Sequence, residues 1–434
     1  VAARDLHGLV DHLFRREAGR MVASLTRSFG PGRLDLAEEV VQEALVQALK
    51  RWPFAGVPRN PRAWLYRVAK NLAVDRLRRD ATFRGKEAEI REVLAPAEEA
   101  GEPAAEEVFF AGEITDDQLR LIFLCCHPEI PRDARVALTL KTVMGFGVGE
   151  IARAFLAREA TVAQRLVRAQ RRIRERRIPF EVPGPAELPG RVEAVLEVLY
   201  LVFNEGYGAH RGGDLVRADL CAEALRLAAR LAALESAAAP AIHALSALLC
   251  FQASRLPARL DGDGNLVLLA DQDRSLWDGS LIRRGFAHFE RAAAGDELTT
   301  YHLEAAIAAH HATVASDGET DWRAIVGLYD ELLALNPSPV VALNRAVAVA
   351  RLSGPAAGLA VLAEIEDHPA LRGYYLLPAT RADLLARSGD SEAAAEGYRQ
   401  ALECPCSEPE RRFLRRRLDS LPTPAAREAG RSVR

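Results

Sequence analysis

Along nearly the whole chain apolar residues recur at spacings of three and four, with Ala, Leu, Arg and Glu dominating the text. That period is helical, and almost no stretch alternates as a half-buried strand does. The pattern predicts an all-α protein. Its first helices fall at 6–28, 35–51 and 61–79. Asp35 stands where it can cap the second, with Glu38 and Glu39 in the first turn, and Pro61 opens the third. Trp52-Pro53 and "AGVPRNP" are expected to end the second helix. From 81 to 115 the period gives way to acidic, Pro/Ala-rich text ("APAEEAGEPAAEE"), the composition of a mobile linker. A second helical segment, 116–178, closes at "PFEVPGPAELPG". A third, 191–421, precedes a polar tail.

The last third repeats itself. "SGPAAGLAVL" and "SGDSEAAAEGY" start 35 residues apart, at Ser353 and Ser388, and Tyr329 and Tyr398 lie 69 apart, about twice that period. "LYDELLALNPSP" resembles "GYRQALECPCSEP". A period near 34, small residues for close helix contacts and Pro after the second helix fit tetratricopeptide-like repeats, clearest in 322–421. Residues 191–296 read as helical without a visible repeat.

Composition narrows the class. With 434 residues, 49% hydrophobic and 27% charged, the chain is globular and long enough for several domains. No apolar run reaches the roughly 20 residues of a membrane helix, and residues 1–12 lack a signal-peptide core, so a cytoplasmic protein without a membrane partner is expected. Six cysteines in so long a chain make no disulfide framework. Cys125-Cys126-His127 and Cys404/Cys406 lack metal-ligand spacing; no metal and no cofactor is expected. The net charge of −3 hides an asymmetry: residues 1–180 hold 31 Lys and Arg against 25 Asp and Glu, leaving 26 against 35 in the rest. A basic first part predicts a polyanionic partner.

"GFGVGEIARAFLAREATVAQRLVRAQRRIRERR", from Gly145 to Arg177, supplies the reader of that polyanion. Glu150, Ile151 and Ala152 fall in a short helix, a tight link follows at 156–159, and Thr161 starts a longer helix. Ile151, Ala152 and Phe155 face inward, as do Val162, Leu166 and Ala169 at spacings of four and three. Thr161, Gln164, Arg165, Arg168, Arg171 and Arg172 are left on or beside the outward face, the layout of a recognition helix in the major groove. Gln and Arg there read base edges, and the later arginines hold phosphates. Seven arginines against one Glu between Thr161 and Arg177 would repel one another without such a ligand.

Taken with "DLAEEVVQEALVQALKRW" and "NPRAWLYRVAKNLAVDRLRRD", this stretch resembles bacterial RNA polymerase sigma factors of the extracytoplasmic-function (ECF) type. The resemblance implies sigma region 2 at 6–80, region 4 at 116–178 and only a linker between them. "LYLVFNEGYGAH", "LVLLADQDRSLWD" and "PSPVVALNRAVAVA" resemble the long C-terminal extension of one ECF group, with a tetratricopeptide-like domain. Region 2 of that family docks on the β′ clamp helices of core RNA polymerase, here through Glu38, Glu39, Gln42 and Glu43. Region 4 reads the −35 promoter element and lies at the β flap. On the −10 side the resemblance implies Phe54 and Arg59 in the loop before Pro61, Trp64, Tyr66 and Asn71 toward exposed bases, and Arg67, Lys70, Arg78 and Arg79 toward phosphates. Trp64 has a second reading, as a core anchor with Val68 and Leu72. Leu156 stands where a Gly is frequent in the family, and Gly147 and Gly149 weaken the start of the preceding helix.

An alternative sigma factor, not an enzyme, is therefore expected. Its third segment regulates it, by holding its own basic segments or by binding a separate protein or a small ligand; proteins of the DGPF (YCII-like) type accompany such family members. A helix-turn-helix regulator with a repeat sensor is the alternative, and leaves 35–79 without a purpose. "FNEGYGAHRGGD" (Asn204, Glu205, His210, Asp214) and His302, His310 and His311 collect polar groups, but show no third metal ligand, nucleophile elbow or phosphate loop. Glu205 and His210 read as organisers of a turn or ligand groove.

Overall fold

The computed structural model describes residues 17–84, 117–154, 157–184, 186–208, 217–234 and 239–422. The described residues are helical, with one isolated antiparallel bridge, Leu260 to Leu266. Two compact units divide the chain, 1–202 with 233–237 and 203–232 with 238–434.

In the first unit α1 (17–29), α2 (Leu34–Ala55) and α3 (Pro61–Arg84) bury Ala23 and Leu25, Val40, Val41, Ala44 and Ala48, and Leu65, Ala69, Ala73 and Leu77 against one another. The expected boundaries shift for local reasons. A 3-10 turn, Pro31–Arg33, feeds straight into α2, so Arg33 takes the N-cap position. Asp35 is inside the first turn, accepting from the Leu36 N–H at 3.0 Å. Trp52-Pro53 does not end α2. Proline costs a single donor there, and the helix stops only at Gly56, whose φ of 77° glycine alone adopts freely. Asn60 caps α3, accepting from the Ala63 N–H at 3.1 Å, with Pro61 in the first turn. The helix continues through Arg84, into the stretch expected to be linker; the rest of that linker lies outside the described residues.

Helices α4 (117–125), α5 (Arg132–Thr142), α6 (Val148–Ala154) and α7 (Glu159–Arg176) follow. Glu150 Oε2 accepts from the Gly147 N–H at 2.8 Å, which offsets the weak glycine start of α6. The longer helix opens two residues before Thr161, because Glu159 in the first turn suits the partial positive charge there. Phe155 and Leu156 lie outside the described residues. Helix α8 (Leu188–Tyr207) follows.

The second unit holds α9 (Ala218–Ala232), α10 (Pro240–Ser254), α11 (Gly279–Ala292), α12 (Thr300–Ala312), α13 (Trp322–Leu335), α14 (Pro339–Ser353), α15 (Pro355–Ala363), α16 (Leu376–Arg387), α17 (Ser391–Glu403) and α18 (Glu408–Asp419). From α12 on they pack as consecutive pairs, 12/13, 14/15 and 16/17, with α18 against the last. Tyr329 and Tyr398 fall in the second helices of pairs two apart, which accounts for their spacing. The small residues stand where helices touch. A Cβ on Gly358 would meet that of Ala350 at 2.5 Å, and one on Gly397 that of Ala382 at 3.0 Å. Gly358→Val should therefore destabilise this unit by about 1–3 kcal/mol through overpacking, read as a lower urea midpoint with helix content unchanged before the transition.

Candidate nucleic-acid interface

On α3 the buried stripe Leu65, Ala69, Ala73 and Leu77 turns Arg67, Asn71 and Arg78 to the opposite, exposed side, with Arg79 exposed beside them. Asp75 shares this face. Lys70 is half-buried. Trp64 is also half-buried, its ring 5.4 Å edge-on from that of the buried Trp52, and the Tyr66 hydroxyl lies 3.2 Å from Ser24 Oγ. Both aromatics thus brace α3 against its neighbours. Phe54 is different: at 92% exposure it projects from the end of α2, and Arg59 is exposed in the loop beyond it. Gln47, Lys50 and Arg51 line a shallow depression with Phe54. The sequence reading passed over Lys50 and Arg51, although spacings of four and three from Phe54 put them on its face.

On α7 Val162, Leu166, Ala169 and Ile173 are buried, as the spacing requires. Gln164, Arg168 and Arg171 are exposed, and Thr161 is half-exposed in the first turn. Arg168 makes no ion pair among the described residues, whereas Arg171 pairs with Glu175 at 3.1 Å on the same helix. Two predicted readers have protein partners instead: Arg165 Nε is 2.9 Å from Asp133, and Arg172 Nε donates to the Glu129 carbonyl at 3.3 Å. The helix therefore presents a narrower reading edge than the arginine count suggests.

The four polar residues on α2 also separate. Gln42 is exposed, next to an exposed Val46 one turn on that the sequence reading did not include. Glu39 and Glu43 both hold Arg76 of α3 at 2.6 Å. Glu38 is buried. It accepts from the Thr142 hydroxyl at 2.5 Å and from the Gln170 amide at 3.0 Å, with Lys141 at 3.8 Å, all from the α5–α7 domain. Burial raises its carboxyl above the usual range, against the pull of Lys141. Arg174 to Asp35 at 3.1 Å and Arg27 to Asp117 at 3.4 Å extend the same contact.

Among the described residues the polar groups considered for chemistry do not converge on one centre. Burial lifts the Glu205 carboxyl to about 7, against Arg217; His210 and Asp214 lie outside the described residues. His302 Nδ1 accepts from the Thr299 N–H at 3.1 Å as part of a helix cap. Among the described residues no group of three His, Cys, Asp or Glu could hold a metal, and no helix is long and apolar enough to cross a membrane. Cys125 and Cys126 are buried, and burial pushes the Cys126 thiol to about 12, so neither offers a thiolate.

A helix-turn-helix with a cationic outer edge, joined to a second bundle with an exposed aromatic and cationic end, defines a protein with two nucleic-acid-facing heads. Comparisons name the heads. The Sigma-70 region 2 family model matches residues 14–82 and the Sigma-70 region 4 model residues 120–173; a family of unknown function (DUF6596) matches 191–293. The ECF RNA polymerase sigma factor SigL of Mycobacterium tuberculosis is 30% identical over 131 residues, 30% of this chain and 68% of that protein. An uncharacterised protein of Rhizobium meliloti (strain 1021) is 41% identical over 388 residues, 89% of this chain and 90% of its own length. No solved structure matches. The chain belongs to the ECF family of RNA polymerase sigma factors, with a helical C-terminal extension. It directs transcription initiation, and its partners are core RNA polymerase and promoter DNA.

Proposed function

We propose that the chain works in the cytoplasm as a sigma factor that binds rather than catalyses, with each exposed face above given to one partner. Gln42 and Val46, with Glu39 and Glu43, meet the β′ clamp helices, and the α5–α7 domain sits at the β flap. Phe54, between Lys50, Arg51 and Arg59, grips an unstacked −10 base, while Arg67, Asn71, Arg78 and Arg79 track the opened strand. Gln164 and Arg168 read −35 base edges, and Arg171 and Arg172 hold phosphates. The C-terminal unit regulates this activity or binds a partner, for which a DGPF (YCII-like) protein is the choice the family resemblance offers. The observation that carries the reading is Phe54: a fully exposed aromatic among cations, at the end of region 2, has no structural purpose in the free protein.

Phe54→Ala removes the gripping ring without touching the core. Stacking of one base is worth about 1–3 kcal/mol, so strand opening on a promoter should fall roughly tenfold or more. Permanganate reactivity of −10 thymines reads the opening, and binding to core polymerase should be unchanged. Normal opening by the variant would remove Phe54 from the −10 site.

A further inference from the structure

The segment between α10 and α11, which carries "LLADQDRSLWD", has no part in the promoter-reading heads. It builds an alternating ladder of cations and rings with the end of α8. The Arg259 guanidinium lies 3.8 Å from the centroid of the Tyr207 ring, and that of Arg255 lies 6.0 Å from it. Arg255 is also 5.4 Å from the Trp277 ring, and Arg274 is 4.3 Å from it. Arg274 then donates to the main-chain carbonyl of His311 on α12. Three guanidiniums thus share two rings, and among the described residues none of the three pairs with a carboxylate. Two of the three acidic residues of the same motif are committed elsewhere. Asp273 accepts from Ser275 N–H at 2.9 Å and from its hydroxyl at 2.7 Å, and Asp278 caps α11 by accepting from Ser280 and Leu281.

A second observation is independent of charge. Tyr207 Oη, Arg274 Nη2, Trp277 Nε1 and His311 Nδ1 are all buried without a hydrogen-bond partner. Each such group carries a desolvation penalty that no hydrogen bond offsets. Four in one cluster, beside cations with carbonyl and amide partners but no carboxylate, is an arrangement that folding alone would not favour. Burial and the neighbouring arginines hold the His311 imidazole neutral, with its pKa pushed down to about 3, so it adds no further charge. Arg255, Arg259 and Arg274 remain partly exposed, which leaves the cluster reachable from solvent.

We propose that this cluster is a binding site for a small molecule bearing a phosphate or carboxylate group. Arg255 already donates to Gln252 and Gln272, and Arg259 to the Tyr207 carbonyl, so the remaining guanidinium N–H groups supply the donors that such an oxyanion accepts. The rings are already faced by arginines, so they position the cations and do not stack on the ligand.

Trp277 belongs to the ladder and Trp322 packs on His311, their ring centroids 5.4 Å apart, so two of the four tryptophans report on the site. The full-length protein is titrated with inorganic phosphate, with acetate and with chloride at constant ionic strength, following tryptophan emission. A saturable change with phosphate or acetate, absent with chloride, is expected. The phosphate and acetate arms tell a phosphorylated ligand from a carboxylic one. Arg274→Gln should raise the half-saturating concentration about tenfold or more. Should that variant lose its cooperative thermal transition, Arg259→Lys, which keeps the charge but not the fork, takes its place. Overlaid phosphate, acetate and chloride curves would overturn the proposal, as would a folded variant that titrates like the parent.

Discussion

Replacing Gln164 and Arg168 together by Ala is expected to lower promoter-dependent transcription by about a hundredfold, with binding to core polymerase unchanged. A good base-edge contact is worth about 1–3 kcal/mol, and two such losses near the lower half of that range amount to this factor. Both side chains are exposed, and neither α7 nor its neighbours need them for packing, since the buried stripe is Val162, Leu166, Ala169 and Ile173. Arg165→Ala should do less, because its guanidinium is already turned to Asp133. Transcription from one promoter with matched and scrambled −35 elements separates the cases: the double variant should no longer distinguish the two templates. A double variant that still prefers the matched element would place the reader elsewhere.

The second large effect is expected from a single methyl group. A Cβ on Gly19 of α1 would lie 1.8 Å from the Val143 carbonyl oxygen, a backbone atom just past α5 that cannot rotate away. Gly19→Ala should therefore separate region 2 from region 4, breaking the contact that buries Glu38. With Asp35 and Arg174 both changed to Cys, a bifunctional thiol reagent long enough to replace the arginine side chain should join the two positions in the parent background, because the Arg174 guanidinium reaches Asp35 at 3.1 Å. The crosslink should fail to form with Gly19→Ala. The same contact carries a pH dependence. The folded pKa of Glu38 is raised, so its contribution to the packed state is fully present below its ordinary value of 4.5 and declines as pH rises through the raised value. Lys141, at 3.8 Å, opposes that decline without reversing its direction. Crosslink yield should accordingly be largest at the acid end of the range, once corrected at each pH for the reagent's rate with a free thiol. Equal yields with and without Gly19→Ala would show that the two regions are not held by this contact.

Much of the fold was legible because helical period survives local noise. The three helices of region 2, the helix-turn-helix and the repeat pairs all rest on apolar stripes such as Val162–Leu166–Ala169 that tertiary packing then uses. Their ends were less legible. Pro53 reads as a stop, yet in the last turn it forfeits one hydrogen bond while Gly56 sets the true end. Asp35 reads as a cap, but a 3-10 turn before it moved the start. The site was half legible for a different reason. Sequence spacing says which side of a helix a residue occupies, and does not say what stands opposite. Arg165 and Arg172 are on the outer part of α7, but Asp133 and the Glu129 carbonyl reach them from other elements. Glu38 follows the acidic pattern of the α2 surface, yet Thr142 and Gln170 cover it from more than 100 residues away. Trp64 had two readings, and contact with Trp52 favours the anchor. The ladder of Arg255, Arg259 and Arg274 had no sequence signal, because its rings come from two separate segments.

In vitro transcription with purified bacterial core polymerase tests the central claim most directly, using a genomic fragment library that includes the DNA upstream of this protein's own operon. Full-length protein and the Gln164→Ala/Arg168→Ala variant run side by side. Discrete start sites that require the protein, share an upstream element and fade with the variant are the predicted result. Footprints that form without core polymerase, with no initiation in its presence, would contradict it and identify an operator-binding regulator instead.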